Sequence, residues 1–211
     1  MPIQTSAERV LVVSRVVLDK VCPRTFNQEV DRVKQVMLEN CNFVERDIAE
    51  NDSQHKQIIP YVVIRHLNQF LLIQRTTQQT ETRLHNLYSL GVGGHVNDDD
   101  MADKSCDVIA SGMKREFDEE IKMGTDGHFR LVGVINDDST NVARFHVGFV
   151  YLLEAPSPDF TILELGKYTA SWKSPDEIAE YYGQMESWAQ IVYDFVISSN
   201  PDNSKKWETT K

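Results

Sequence analysis

The stretch KREFDEEIKMG, from Lys114 to Gly124, is the most informative part of this sequence. It places three glutamates and an aspartate in five positions directly behind an arginine. Apolar residues recur at every fourth position through and before it, which predicts a helix with one buried side. This helix is expected to begin after Ser105 or Asp107, either of which could cap it, and to run to about Met123 before Gly124 stops it. The apolar positions are Ile109, Met113, Phe117 and Ile121.

Three carboxylates share one face of the predicted helix, because Glu116, Glu119 and Glu120 stand in the i, i+3 and i+4 relation. An ion pair between Arg115 and Glu119 would still leave an excess of negative charge. Two interpretations follow. One is a solvated acidic helix face, which is the more common outcome. The other is a site for a hard divalent cation, which prefers oxygen ligands. The glycine-rich GVGGH upstream favours the metal site, because glycines let the backbone approach a ligand closely.

The acidic composition argues against partners that need a basic surface. With a net charge of -10, the chain is not expected to bind nucleic acid backbones or anionic membranes. The cysteines Cys22, Cys41 and Cys106 form no CxxC pair, so we expect no disulfide framework and a reducing, cytoplasmic location. The apolar run VLVVSRVVL is interrupted by Arg15, so it predicts a strand instead of a signal peptide or a membrane helix.

Predicted strands and helices alternate along the rest of the chain, which favours an α/β fold with a mixed sheet covered by helices on both faces. A capping box at Ser174 and Glu177, with Pro175 at the first helical position, marks a helix start near the C-terminus. The other predicted elements are a strand at 10–13, a helix at 27–39, a hairpin of strands 58–66 and 70–75, a strand at 87–95, strands at 129–136 and 143–154, and a last helix at 185–197.

The acidic helix and the glycines before it carry a family resemblance. The segment GGHV…REFDEEIKM resembles the Nudix box, which reads G, five residues, E, seven residues, then R-E-U-x-E-E-x-G-U, where U is a bulky apolar residue. Gly94 corresponds to the opening glycine, and SWKSPDEI is similar to the W-x-S-x-x-E-U stretch near the end of many Nudix domains. The residues that match the second half of the motif are Arg115, Glu116, Phe117, Glu119, Glu120 and Met123.

The resemblance extends over residues 58–198 and implies the Nudix α/β/α sandwich, with a mixed β-sheet between helices. Residues 1–57 would then be an N-terminal strand-helix extension packed on that domain, and 199–211 a C-terminal tail. The extension could extend the sheet, cover the substrate pocket or build a dimer interface. IIPYVVIRH together with RLHNLYSLGVGGHVN also resembles a bacterial or phage-type Nudix subgroup described only as predicted phosphoesterases.

The sequence departs from the motif at two points. From Gly94 to Asp107 there are thirteen steps where the motif has six, so the segment Asn97–Ser105 contains an insertion. Asp107 then takes the place of the first glutamate, as a distal ligand or a helix cap. The last glycine of the motif falls on Lys122, with Gly124 two positions later. Neither departure changes the arginine or the three glutamates of the helix.

The resemblance implies a hydrolase that cleaves the diphosphate linkage of a nucleoside diphosphate joined to another group, X. In such an enzyme Glu116, Glu119 and Glu120 would hold Mg²⁺ or Mn²⁺, and the carbonyl of Gly94 would complete the shell. Arg115 would orient the glutamates through charge-assisted hydrogen bonds.

Catalytic roles are expected for Arg115, Glu116 and Glu119, by the same resemblance. The general base is either Glu116 or an acid on a distant loop. The candidate on such a loop is Glu164, in the segment FTILELGKY.

Arg75 and His95 are candidates for substrate contact outside the helix. Arg75 ends a predicted strand and could reach a phosphate, although a surface arginine explains it equally well. His95 follows the glycines, where a structural hydrogen bond is the commoner role. Substrate choice is expected to lie in the loop Thr76–Arg83 and in the DDSTN turn, whose two aspartates fit turn residues better than ligands.

Three functions compete on this scaffold. The first is the metal-dependent hydrolase, acting on a small nucleotide or diphosphate substrate and, by analogy with Nudix relatives, forming a homodimer. The alternative is a non-catalytic Nudix-like sensor that binds a nucleotide, but such modules usually lose the glutamates that this chain keeps. An isoprenoid diphosphate isomerase would need a further catalytic cysteine, and Cys106 lies in the inserted region. The hydrolase is therefore the favoured interpretation.

Overall fold

The computed structural model of the protein describes residues 8–23, 25–77, 84–101 and 107–198. These residues form two compact units. The first unit contains the described parts of residues 1–62, 93–118 and 131–151, and the second contains those of 63–92, 119–130 and 152–211. Ser105, Cys106, the tail from 199 onward and most of the loop Thr76–Arg83 lie outside the described residues.

Strands and helices alternate along the described chain, and the fold is α/β with a mixed sheet, as the sequence predicts. No helix among these residues is long and apolar enough to cross a membrane. The strands and α-helices, in chain order, are β1 (Arg9–Ser14), α1 (Arg15–Val21), β2 (Phe26–Asn27), α2 (Val30–Asn40), β3 (Cys41–Glu45), α3 (Arg46–Ala49), β4 (His55–His66), β5 (Gln69–Arg75), β6 (Tyr88–Ser89), β7 (Gly91–Val92), α4 (Val108–Glu120), β8 (Ile121–Met123), β9 (His128–Ile135), β10 (His146–Glu154), β11 (Phe160–Ile162), β12 (Tyr168–Lys173), α5 (Pro175–Ala179) and α6 (Ser187–Val192).

Strand β1 joins the N-terminal residues to the sheet of the first unit. It pairs antiparallel with both β3 and β4, so that Val13 lies opposite Cys41 and Lys56. Residues 10–13 are at most 2% exposed, as expected for a strand buried on both faces. From β3 across this part of the sheet, the hydrogen-bonded strands follow the order β3-β1-β4-β10-β9-β2. β1 therefore extends the sheet, which is one of the three roles open to the N-terminal residues.

The helix predicted at 27–39 begins later, at Val30, where α2 starts. Phe26 and Asn27 lie instead in β2, which pairs with β9. The side chain of Asn27 accepts a hydrogen bond from the backbone N of Glu29, and such a turn interrupts the helical pattern before the apolar stripe begins. Helix α1 was not predicted, because its seven residues bury only Leu18 and give no periodic signal.

Helix α4 begins where the sequence predicts but ends three residues early. Asp107 accepts a hydrogen bond through Oδ1 from the backbone N two residues on, so it serves as the helix cap. The prediction that the helix reaches Met123 is wrong, because the chain turns after Glu120 into β8, which pairs antiparallel with β11. In this pairing the backbone N–H and C=O groups of β8 find hydrogen-bond partners in β11. The backbone N of Gly124 adds one more bond of this kind, to the carbonyl of Asp159.

The second unit contains the turn of the predicted hairpin, with residues 63–66 of β4, and the predicted capping box. Arg65 of β4 pairs with Phe70 of β5 across a tight turn, and β5 pairs antiparallel with β12 and β6. Ser174 caps α5. Its side chain accepts a hydrogen bond from the backbone N of Glu177, and the Glu177 side chain accepts one from the backbone N of Ser174. The last predicted helix is two elements, because α6 is followed by a π-helical turn at Tyr193–Ile197.

A buried cation fixes the turn between β9 and β10 in the first unit. Lys56 is 0% exposed, and its Nζ donates to Asn136 Oδ1 and to the carbonyl of Asp137, both at 2.8 Å. It also pairs with Asp138 at 2.9 Å. Burial lowers the pKa of Lys56, and these acceptors offset that cost. The two aspartates therefore belong to the turn, as predicted.

Lys56→Met is expected to lower the free energy of unfolding by about 3 kcal/mol, because it leaves buried acceptors without their donor. The matched control is Lys20→Met, since Lys20 is exposed on α1; it should change stability by no more than about 0.5 kcal/mol. Urea unfolding followed by circular dichroism gives both values. Equal shifts for the two variants would contradict the role assigned to Lys56.

Asp138→Asn tests the same turn through pH. A hydrogen bond from Arg15 and the contact with Lys56 lower the pKa of Asp138 to about 2, below its ordinary 3.8. Its ionised form therefore adds stability that is complete above pH 3.8 and is lost as the pH falls toward 2. The difference in melting temperature between wild type and variant should be constant near neutral pH and shrink below pH 3.8. A difference that stays the same on acidification would count against this pairing.

Candidate active site

Two glycines bring the backbone against neighbouring groups in the first unit. A Cβ on Gly93 would lie 1.8 Å from the carbonyl oxygen of Pro60, so the backbone at Gly93 passes directly over strand β4. A Cβ on Gly94 would lie 2.2 Å from Oε2 of Glu116. The structure therefore brings together Gly94 and Glu116, the predicted opening glycine and the first glutamate of the helix.

Arg115 is held by three neighbours in the same unit. Its Nε and Nη2 donate to the two carboxylate oxygens of Asp100 at 2.8 and 3.0 Å. Nη2 also donates to the carbonyl of His95 at 2.9 Å, and Nη1 donates to Glu116 Oε1 at 2.7 Å. The hydrogen bonds that Arg115 donates to Asp100 are the main reason why the pKa of Arg115 is raised. A bidentate pair of this kind fixes the guanidinium in position and charge.

Asp100 is the residue of this group that sequence reasoning missed. It lies in a short 3-10 turn, Asp98–Met101, within the described part of the inserted segment. Its side chain is nearly buried and also accepts a hydrogen bond from the backbone N of Asn97. A half-buried arginine needs a carboxylate partner, and this need could have indicated Asp100. The sequence has three adjacent aspartates here, however, and nothing in it shows which one pairs with Arg115.

In the second unit, Glu120 is held at the end of the helix. It is 8% exposed, and its Oε1 accepts a hydrogen bond from the Tyr168 hydroxyl at 2.9 Å. Burial raises the pKa of Tyr168, and the charge of Glu120 raises it further, so this phenol remains a donor. The carbonyl of Glu120 accepts from the backbone N of Leu163, which directly precedes Glu164. The predicted distal acid therefore lies on a loop that is bonded to the helix end, where it pairs with Lys167.

The donor chemistry of this helix fits a divalent cation. Glu116, Glu119 and Glu120 offer carboxylate oxygens, which Mg²⁺ prefers, and Gly94, which has no side chain, lets its backbone lie close to the Glu116 carboxylate. Within the part of the chain that the structure describes, no group of three or more His, Cys, Asp or Glu side chains is placed so that it could hold a metal ion. Glu116 is instead paired with Arg115, while Glu119 is exposed.

Arg75 lies within the second unit and is not a solvated surface arginine. Its side chain is 17% exposed, and its Nε donates to Glu186 Oε2 at 3.1 Å. Glu186 is nearly buried and accepts a second hydrogen bond from Ser89 Oγ at 2.5 Å. The guanidinium lies 5.9 Å from the ring centroid of Tyr168, the residue that bonds Glu120. Neither Glu186 nor Tyr168 was predicted, because nothing in their sequence surroundings marks a partner so distant in the chain.

His95 lies in the first unit, packed against His146, with ring centroids 5.8 Å apart. Burial lowers the pKa of His95 to about 3, so its ring is neutral near physiological pH. Any contact of this ring with a phosphate is therefore a neutral hydrogen bond. Its backbone carbonyl accepts from Arg115, which places His95 beside the candidate site whether or not its ring contacts a ligand.

Comparison with known proteins agrees with this fold. No family model matches the chain. Protein YmaB from Bacillus subtilis (strain 168) is 33% identical over 156 residues, which are 72% of this chain and 76% of that protein. The crystal structure of Tm1382, a candidate Nudix hydrolase, is 31% identical, covers 89% of this chain and 97% of its own, and superposes with a TM-score of 0.76. A MutT Nudix hydrolase from Burkholderia pseudomallei is a more distant neighbour, 19% identical with a TM-score of 0.49 over 66% of this chain and 96% of its own.

The fold and the helix define a Nudix-type α/β protein. The chain belongs to the Nudix hydrolase family. The match to Tm1382 covers a larger share of the chain than residues 58–211 could supply, so the similarity continues into the N-terminal extension.

Gly93→Ala is expected to cost about 1–3 kcal/mol of stability, because the clash is with the backbone of β4 and Pro60 cannot move alone. Gly94→Ala meets only the end of the Glu116 side chain, so it should cost less. Gly183→Ala is the control, since the added Cβ would meet no atom of the described structure within 4 Å beyond its local backbone and chain neighbours. Urea unfolding of the three variants gives the comparison. Equal stability of the Gly93 and Gly183 variants would overturn this assignment.

Proposed function

We propose that the chain is a divalent-metal-dependent hydrolase that cleaves the diphosphate linkage of a nucleoside diphosphate joined to another group, X. Membership of the Nudix hydrolase family supports this at the level of class. The observation that carries the proposal is the anchoring of Arg115 by Asp100 and His95, which holds Glu116 directly beside Gly94. A merely solvated acidic helix face would not need an arginine fixed in this way.

The carboxylates of α4 are proposed to hold Mg²⁺ or Mn²⁺. Glu116, Glu119 and Glu120 supply the oxygens, and the carbonyl of Gly94 adds a further ligand. A bound cation would neutralise charge on the diphosphate and acidify an attacking water. Arg115 holds the Glu116 carboxylate through the 2.7 Å bond. In the second unit, the Tyr168 hydroxyl holds the Glu120 carboxylate.

The general base is proposed to be Glu116 or Glu164. The first would take a proton from water beside Gly94, with Glu119 as a further catalytic carboxylate. The second is supported by the backbone bond between Leu163 and Glu120, which ties its loop to the end of α4. Glu164 would have to exchange its pairing with Lys167 for a water before it could act as a base.

Arg75 and His95 are proposed to contact the substrate. Arg75 would contribute a cation whose position is fixed by Glu186, and the neutral ring of His95 would contribute a hydrogen bond. The partner is then a small nucleotide or diphosphate compound. A cytoplasmic location and a homodimer complete the proposal, the first from the sparse cysteines and the second by analogy with the family.

The test is turnover of a panel of diphosphate compounds with Mg²⁺, followed by chromatography. The panel spans nucleotide sugars, ADP-ribose, dinucleoside polyphosphates, nicotinamide dinucleotides and nucleoside triphosphates. We expect activity that needs the metal and that falls about a hundredfold or more in Glu120→Gln, since loss of a mere partner of a metal ligand already costs about 10- to 100-fold in activity. The matched control is Glu39→Gln, the same change at an exposed position of α2, which should retain full activity.

Two outcomes would contradict the hydrolase. The first is an absence of turnover on every compound while one of them still raises the melting temperature, which would favour the nucleotide sensor. The second is turnover that Glu120→Gln leaves unchanged, which would place the chemistry outside α4. Melting curves of both variants separate loss of activity from loss of fold.

A further inference from the structure

A cavity of about 340 Å³ lies in the first unit, beside the turn between β9 and β10. We call it the turn pocket. Arg15, at the start of α1, and Ser53, before β4, line one part of it. The rest is lined by Arg144 and by Asp138, Ser139, Thr140 and Asn141 of the turn. The DDSTN turn, where the sequence predicts part of the substrate choice, therefore lines it, whereas none of the residues assigned above to metal binding or catalysis does.

Among the side chains that line the turn pocket, two are cationic and one is a carboxylate. Arg15 bonds Asp138 through both Nη atoms, at 2.7 and 3.1 Å, so one lining carboxylate is already matched by one guanidinium. Lys56, buried behind the turn, pairs with the same carboxylate. Arg144 is exposed and lies 5.3 Å from the ring centroid of Phe145, and among the described residues no carboxylate pairs with it. The lining is therefore locally positive in a chain whose net charge is -10.

Of the remaining lining side chains, those of Ser53, Thr140 and Asn141 can donate hydrogen bonds to an anion, whereas the Ser139 hydroxyl already donates to Asp137. Thr140 Oγ1 accepts from the backbone N of Ala143 at 3.0 Å, and this leaves its own proton to donate elsewhere. Ser139 bonds Asp137 and so holds that second carboxylate within the turn. The contacts of Lys56 with Asn136 and Asp137 fix the same turn, so its donors are held in place before a ligand arrives.

We propose that the turn pocket binds a phosphate-bearing small molecule, with Arg144 as its principal cationic contact. Guanidinium and hydroxyl donors together match the acceptor oxygens of a phosphate monoester. The volume is at the lower end of the roughly 300–1,000 Å³ of ligand pockets, which suits a compound the size of a sugar phosphate. The N-terminal residues then have a function besides extending the sheet, because they supply Arg15 and Ser53.

The experiment is calorimetric titration of ribose 5-phosphate into protein stripped of divalent cations. Wild type should bind, and Arg144→Gln should bind at least about tenfold more weakly, since one charge-assisted hydrogen bond is lost. Arg32→Gln is the matched control, because Arg32 is exposed on α2 and does not line the pocket. It should bind as wild type does, and ribose, which lacks the phosphate, should not bind.

A second variant keeps the test independent of Arg144. Asn141→Asp adds a carboxylate at an exposed lining position and should weaken binding by charge repulsion alone. Glu120 does not line the turn pocket, so Glu120→Gln should bind ribose 5-phosphate as tightly as wild type. This measurement therefore tests the turn pocket separately from the hydrolase proposal. No binding by wild type at millimolar ribose 5-phosphate, or equal affinity in wild type and Arg144→Gln, would overturn the proposal.

Discussion

The bidentate bond between Arg115 and Asp100 is the interaction on which the candidate active site depends. It holds the guanidinium so that the remaining donors reach the carbonyl of His95 and the carboxylate of Glu116. One side chain thus joins the glycine segment, the inserted turn and the first carboxylate of α4. Because arginine does not lose its charge in proteins, the cation of this arrangement stays charged at any pH at which the fold survives.

A buried cation organises the turn between β9 and β10 in the first unit. Lys56 collects acceptors from the turn between β9 and β10, much as Arg115 collects them around Gly94. In both places an acidic protein uses a single cation, surrounded by oxygens, to fix a loop. The N-terminal residues take part in this, because β1 pairs with β4 where Lys56 lies, and Arg15 then reaches Asp138. The extension is therefore tied to the turn by both backbone and charge.

Local patterns in the sequence predicted most of the fold and part of the site. Strand β1, the hairpin, the start of α4 and the Ser174 cap follow from periodicity and capping chemistry within a few residues. The end of α4 did not, since only pairing with β11 shows that β8 is a strand. Asp100, Tyr168 and Glu186 escaped prediction for a similar reason. Each gains its role from a side chain far away in the sequence, and no local spacing encodes such a contact.

The most direct test of the account is where Mn²⁺ binds, because every proposed catalytic role depends on a cation held by α4. Titrating Mn²⁺ into ¹⁵N-labelled protein broadens the amide signals nearest the bound ion. We predict that Gly94 and the glutamates of α4 broaden first, and that this effect is lost in Glu120→Gln. Broadening that begins at other acidic segments, such as the turn Asp98–Met101, with the amides of α4 unaffected, would contradict the assignment of α4 as the metal site.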